Sequence, residues 1–547
     1  MAMAPALALT QVRADTSHPP VGRAVAHLSA GLIRRSTLAI SVGVGVIVAL
    51  EAFAYQTGYP DAASRAALTM WGEDPGIRII AGPATAVDTV GGFVVWDAGL
   101  YLTLILGAWA LTMTTRVLRG DEGAGRTELL LVGPIRPVRV LLTQFLVLFG
   151  ACAVVGVVVA LALSLSGAAV AGAILFGMAT TGYCCALVAL TGLASQVFAT
   201  RRGTLGTVAA SLAALILVRM VANSADSRMW LGWLTPGGWT DQLRAFGDNR
   251  WPVLLVPLTV TIVLAWVAVA LRMHRDAGAG LLAERAPHRS RPWGLGSPLA
   301  FAWRTNLGVL LAWAGGVAAA GVVVGVLLPT MDEYLASDAG FQDVLVAMGM
   351  NLTDLSRGFL AMWATILGLV IAVYCAFRLG ATRAEEASTR ADFLLTRSVP
   401  RWRWLGGHVL SMAASVVVLG LSAAAAMWLA GIATDAELSA ADSFGAVFNT
   451  LPAVTVFAGL GVLVFGVVPR LTVAVAAGTA VAAYVLELVG PVLKWPEWVL
   501  GISPFHHLTA VPVDPFEPTA ALVMLAVGVA FATVGVTAFT RRDLVGV

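Results

Sequence analysis

The sequence predicts an all-α polytopic membrane protein, with about twelve transmembrane helices in two parallel six-helix halves related by a pseudo-twofold axis. Three observations predict it. Of the 547 residues, 59% are hydrophobic and only 12% charged, against roughly 25% charged in a soluble domain. Apolar runs of about 20 residues, the length a bilayer-spanning helix needs, recur from near residue 37 to the C-terminal region. The second half of the chain also repeats landmarks of the first.

The apolar windows place the first six helices near 37–55, 93–114, 140–166, 169–198, 204–222 and 253–271. The second six fall near 306–328, 358–377, 405–431, 444–468, 471–490 and 520–540. Charges or clusters of Pro, Gly and Trp separate each run from the next, most thinly at Ser166 to Ala168 and at Pro469–Arg470. The organisation expected is a cytoplasmic N-terminus with an interfacial helix (1–36), a first half (37–272), a cytoplasmic linker with a second interfacial helix (273–305), a second half (306–540) and a cytoplasmic tail (541–547).

Direction follows from arginine placement, because cytoplasmic loops are enriched in Lys and Arg. With the N-terminus inside, 26 of the 34 basic residues and 10 of the 31 acidic ones lie in inner segments. The overall +3 is thus the small difference between a strongly positive inner side and a strongly negative outer one. Both termini are expected in the cytoplasm of a bacterial plasma membrane, with the lipid bilayer as the chain's surroundings and no nucleic-acid partner.

Composition also excludes chemistry. The basic residues include a single lysine, Lys494, followed by Trp495, so no G-x-x-x-x-G-K-[ST] phosphate loop exists in the chain. Cys152, Cys184, Cys185 and Cys375 fall inside apolar runs without disulfide or zinc spacing. His506 and His507 have no acidic or Cys partner at metal-ligand spacing, so no metal site and no catalytic residue is expected. The first apolar run lacks a cleavage pattern and is expected to remain as a spanning helix.

The repeat locates the working parts. An offset of 264 brings Asp121 and Glu122 onto Glu385 and Glu386, Arg126 onto Arg390, Glu128 onto Asp392, and Leu130 onto Leu394. An offset of 268 matches Leu234-Thr235-Pro236 to Ile502-Ser503-Pro504, and one of 267 matches Arg275-Asp276 to Arg542-Asp543. Six helices per half is an even number, so both halves run the same way through the bilayer. The segment from Arg119 to Leu131 reads as a short amphipathic helix on the inner face, presenting charge downward. One such loop could merely satisfy the positive-inside bias; its duplication suits a surface that receives force from two copies of a soluble motor.

On these residues the chain resembles the integral-membrane permeases of type-2 ABC exporters, closest to the long, fused actinobacterial permeases of the tetronasin and polyketide antibiotic exporter kind. The resemblance rests on the Arg-acidic-acidic-x-x-Gly-Arg-x-Glu-Leu order at Arg119 to Leu129, with one extra residue after the first Arg, and on the Arg-Asp pair closing each half. It implies that Arg119, Asp121, Glu122, Arg126, Glu128 and Leu130, with Glu385, Glu386, Arg390, Asp392 and Leu394, form two loops coupled to ATPase subunits. The second copy departs from the pattern at Ser388 and Thr389. The resemblance further implies two copies of a soluble ATPase that bind ATP and Mg, no cofactor on this chain, and export of an amphiphilic small molecule. The Val21 to Arg35 stretch, with Val25, Leu28, Leu32 and Ile33 at helical spacing, reads as a helix in the interface; Pro298 to Arg304 is its shorter counterpart.

Ionisable groups inside spans are costly and are functional candidates by default. Glu51, Asp97, Arg219 and Glu487 stand out as translocation-path or gate residues. The 268 offset places Arg219 on Glu487, so the two are expected to meet as a gate or a structural ion pair. The outer segments 223–251 and 491–519, rich in Trp, Pro and Phe, suit re-entrant or interfacial elements. Two other classes remain open: a proton-driven transporter of the major facilitator type, whose Asp-x-x-Gly-Arg loop Asp121 to Arg126 faintly echoes, and a membrane scaffold or sensor.

Overall fold

A computed structural model describes residues 21–73, 75–123, 125–132, 135–276, 278–282, 293–337, 355–387, 399–434, 436, 438–490 and 495–543. Arg390, Asp392, Leu394 and Lys494 lie outside these residues, as do the N-terminal 20. The chain divides into two compact units, 1–286 and 287–547. Among the described residues every regular element is helical, and twelve helices are long and apolar enough to cross a membrane. The protein is a multi-pass membrane protein.

In the first unit the long helices are α1 (Val21–Gly58), α2 (Val90–Thr115), α3 (Pro137–Leu165), α4 (Val170–Val197), α5 (Arg201–Asn223) and α6 (Leu255–Met273). In the second they are α7 (Pro298–Ser337), α8 (Leu355–Ala387), α9 (Arg401–Ala433), α10 (Ala440–Val467), α11 (Thr472–Val489) and α12 (Pro518–Arg541). Each falls on one of the twelve expected apolar windows. Their starts follow local chemistry. Thr89, Thr200 and Ser439 sit in extended conformation and accept from the backbone N–H of Gly92, Gly203 and Asp442 at 3.1, 3.2 and 3.0 Å, satisfying donors that a helix start leaves without intrahelical partners. Pro137 and Pro518 open α3 and α12, where the missing N–H costs nothing.

Two expectations change. The amphipathic stretch from Val21 to Arg35 is not a separate interfacial helix: it is the first part of α1, 38 residues without a break, about 57 Å at 1.5 Å per residue. Pro298 to Arg304 likewise opens the 40-residue α7. Neither junction contains a proline, and Ser36 and Thr37 return their hydroxyls to the Ile33 carbonyl, so nothing forces the backbone out of the helix. The acidic pair also does not start a separate short helix. α2 passes through a π-helical turn, Arg116–Gly120, straight into the turn Asp121–Gly123. Gly125, at φ +71, stops it, and a new short helix runs Arg126–Leu131. A left-handed residue is where a helix ends cheaply only if it is Gly or Asn.

Within the first unit α1 packs on α3 and α2, α4 on α3, α6 and α2, and α5 beside α2 and α4. Within the second, α7 packs on α9 and α8, α10 on α9, α12 and α8, and α11 beside α8 and α10. In lipid, helix association relies on close van der Waals fit, so small residues mark the tightest seams. At the α10–α12 seam, a Cβ on Gly459 or Gly466 would run into the carbonyls of Gly528 and Gly535. The seven-residue spacing of both pairs keeps that seam on one face of each helix.

Candidate functional site

The repeated acidic pair lies where α2 and α8 end. In the first unit Arg119 sends Nη1 to Glu122 Oε2 at 2.8 Å, and the two side chains are 1% and 6% exposed. Glu122 Oε1 accepts from Arg275 and, at 2.9 Å, from the Gly278 N–H. Arg275 also donates to Ser195 O at the end of α4 (3.1 Å) and to Ala279 O (2.8 Å), and Arg119 donates to Ala279 O at 3.2 Å. Leu281 and Leu282 then pair their N–H groups with Gln196 O and Val197 O. The strand of chain after α6 is thereby stitched to the ends of α2 and α4.

The second unit closes in the same way. Glu386 receives two hydrogen bonds from Arg542, at 2.7 and 2.9 Å, and Arg542 lies over the rings of Phe465 and Phe539. Arg401, at the start of α9, donates to Arg542 O at 2.6 Å. Glu385 faces His408 Nε2 at 3.7 Å. Planar guanidinium matched to carboxylate fixes orientation as well as charge. Removing one member of such a buried pair is far costlier than losing a surface pair.

The charged motif therefore divides into two kinds of residue. Arg119, Glu122 and Glu386 are buried and spend their charge inside the protein. Arg126 and Glu128 are exposed, Arg126 with 59% of its side chain in the open while it pairs with Asp121 at 2.7 Å. The Leu130 backbone continues the short helix; its side chain lies outside the described residues. Arg275 and Arg542 are the hydrogen-bonding partners of the acidic pair, visible in the sequence only as a repeated Arg-Asp pair. Their signal was the repeat itself, since the offsets of the two motifs differ by only three residues.

The intramembrane candidates find partners inside their own units. Arg219 is 3% exposed and forks onto Asp241 through Nε and Nη2, at 2.7 and 2.8 Å. Its remaining donors reach Ile80 O and Ala81 O at 3.3 and 3.2 Å. Any contact between Arg219 and Glu487 would have to compete with that bidentate pair. Glu51 in α1 and Asp97 in α2 are joined by the Tyr101 hydroxyl, 3.4 and 2.7 Å away. Glu487 in α11 faces His506 Nδ1 at 3.5 Å.

The segments after α5 and α11 fold as short turns of helix. Asp226–Leu234 and Pro236–Gln242 follow α5. Glu497–Leu500 and Pro504–His507 follow α11. Repeat-equivalent Thr235 and Ser503 both cap, accepting from Gly238 and Phe505 N–H at 3.0 and 3.2 Å. In these segments Trp239 is buried and donates to Trp233 O at 2.7 Å. Trp230, Trp233, Trp495 and Trp498 are exposed.

A cavity of about 330 Å³ opens between α8, α10 and α11 and the segment 505–514. Its polar wall includes Thr365, Asn449, Tyr484, Glu487 and Asp514, and Asn449 Nδ2 donates to Thr509 O at 2.8 Å. Of these the sequence reading had marked only Glu487. Thr365, Asn449 and Tyr484 are neutral, and nothing in a hydropathy profile separates them from polar residues that merely return a bond to their own helix.

Two comparisons with known proteins agree. The family described as the multidrug efflux system permease Rv1217c, C-terminal domain, matches residues 64–272 and 295–540. The multidrug efflux system permease protein Rv1217c of Mycobacterium tuberculosis is 33% identical over 492 residues, covering 89% of this chain and 89% of that protein. With the family matched across both units and a relative aligned over nearly the whole length, the chain belongs to the Rv1217c family of multidrug efflux permeases.

Proposed function

We propose that the chain is the membrane subunit of an ATP-driven exporter of the type-2 ABC class, moving amphiphilic compounds outward across a bacterial plasma membrane with both termini in the cytoplasm. Two copies of a soluble ATPase subunit supply the motor and bind ATP and Mg. Without a phosphate-loop lysine the permease has no such motor of its own.

One observation carries the reading. In each unit the acidic end of the second helix is gripped by an arginine from the end of the sixth, Glu122 by Arg275 and Glu386 by Arg542. In the first unit the exposed Arg126 and Glu128 hang directly beyond that grip. Arg390, Asp392 and Leu394 are their proposed counterparts. A push on the short helix Arg126–Leu131 reaches Glu122, and through Arg275 it reaches the ends of α6 and α4 together. A buried, hydrogen-bonded ion pair transmits displacement stiffly, where an exposed one would yield to solvent. ATP-driven closure of the two motors then moves both loops and switches the permease between inward and outward access. Glu51, Asp97, Arg219 and Glu487 remain the proposed path or gate residues.

Co-purification of the permease with the ATPase encoded beside it, followed by drug-stimulated ATP hydrolysis, tests the proposal. Efflux that survives vanadate but collapses with a protonophore would overturn it in favour of a proton-driven carrier, which the family match does not favour.

A further inference from the structure

We propose that the cavity between α8, α10 and α11 binds amphiphilic organic cations, with Glu487 as the counter-charge. The cavity volume of about 330 Å³ lies at the lower end of the range for small-molecule sites. Its wall combines apolar Met362 and Leu488 with the rings of Tyr484 and Phe505, which stand edge to face at 6.3 Å. Among the described residues the lining includes two carboxylates, Glu487 and Asp514, and no Arg or Lys. Arg357, next to the lining residue Gly358, is directed to Asp442 at 3.9 Å. His506 lies between Glu487 and Glu497, 3.5 Å from each. Even a protonated His506 leaves the acids in excess.

Two buried polar atoms at this wall, Glu487 Oε2 and Thr509 Oγ1, make no hydrogen bond among the described residues, and Glu487 Oε2 has the 3.5 Å approach of His506 Nδ1. Such groups are rare because each forfeits its hydration. A carboxylate held by a single loose imidazole contact beside two aromatic faces has the composition that recognises a diffuse, weakly hydrated cation: the charge is met by the acid and the rings by cation–π attraction. A small, strongly hydrated cation would lose more water than this wall returns. Neutral and anionic amphiphiles gain nothing from Glu487.

The inference rests on the chain being an efflux permease, but its test needs no motor. Binding of tetraphenylphosphonium to the purified full chain is compared with binding of tetraphenylborate, an anion of the same shape. The phosphonium is expected to bind saturably, and Glu487→Gln to weaken it by about tenfold or more while the borate changes less than about twofold. Glu487→Asp should retain most of the affinity. Thr365→Lys, which places a cation in the cavity from α8, should abolish phosphonium binding, and it serves if Glu487→Gln does not purify as a monodisperse protein. Absence of saturable phosphonium binding, equal affinity for the two ions, or full phosphonium affinity in Glu487→Gln overturns the proposal. A failure of ATP coupling would show in efflux and leave these binding results standing.

Discussion

Glu386 and Arg542 stand 156 positions apart in the chain and meet through two hydrogen bonds of 2.7 and 2.9 Å. Glu122 meets Arg275 in the first unit. Each pair joins the end of a unit's second helix to the end of its sixth. Because both carboxylates are buried, each pair is a joint of the fold rather than a decoration of its surface.

Arg542→Ala should lower stability by about 3–5 kcal/mol, the cost of breaking a buried ion pair by removing one member. The double variant Glu386→Leu with Arg542→Met should recover most of that stability, since an apolar replacement of both members is close to neutral. It should not recover drug resistance. Melting of the purified permease and growth on a toxic substrate read the two effects separately; equal recovery of both would reduce the pair to a structural role.

Arg126→Ala and Glu128→Ala remove exposed charges, and stability should shift by no more than about 0.5 kcal/mol. Association with the ATPase should weaken clearly. Pull-down of the ATPase by each variant, beside its melting curve, checks this. Undiminished recovery of the motor would count against the short helix as the docking element.

Asp241→Asn should destabilise the first unit by about 3–5 kcal/mol, because Arg219 is buried and forked onto that carboxylate. Exchanging the charges of Arg219 and Glu487 should leave efflux abolished, since the exchange strands Asp241 beside a new acid. Restored transport in that exchange would show instead that the two residues face each other during the cycle.

Gly466→Val forces a side chain against the Gly535 carbonyl at the α10–α12 seam. Overpacking of this kind costs about 1–3 kcal/mol. A lower melting temperature and reduced yield in membranes are the expected readouts. Gly478→Val in α11, where a Cβ would meet nothing, should be tolerated and serves as the control.

Much of the architecture was legible because its causes are local. A span announces itself by about 20 apolar residues wherever it packs, and all twelve helices fall on the expected windows. Thr235 and Ser503 could be paired from sequence because a cap acts on an N–H only two or three residues away. The stretch Val21 to Arg35, expected as an interfacial helix ahead of the first span, is continuous with that span in α1 for the converse reason. Its amphipathic pattern reports what the faces prefer, not whether the backbone bends after Arg35, and no residue there interrupts the helix.

The sequence by itself determined the helical class, the number of spans, the uneven distribution of charge between their loops, the duplicated acidic motif and the absence of a phosphate loop. Each depends on composition or on spacing within a few turns. Only the tertiary structure decided which charges of the motif are spent internally, that Arg219 belongs to Asp241, and that Glu487 opens on a cavity. The physical reason is that burial of a charge is settled by its partner. Asp241 is 22 positions from Arg219, and Arg275 and Arg542 are 153 and 156 positions from Glu122 and Glu386, beyond the reach of any hydropathy window.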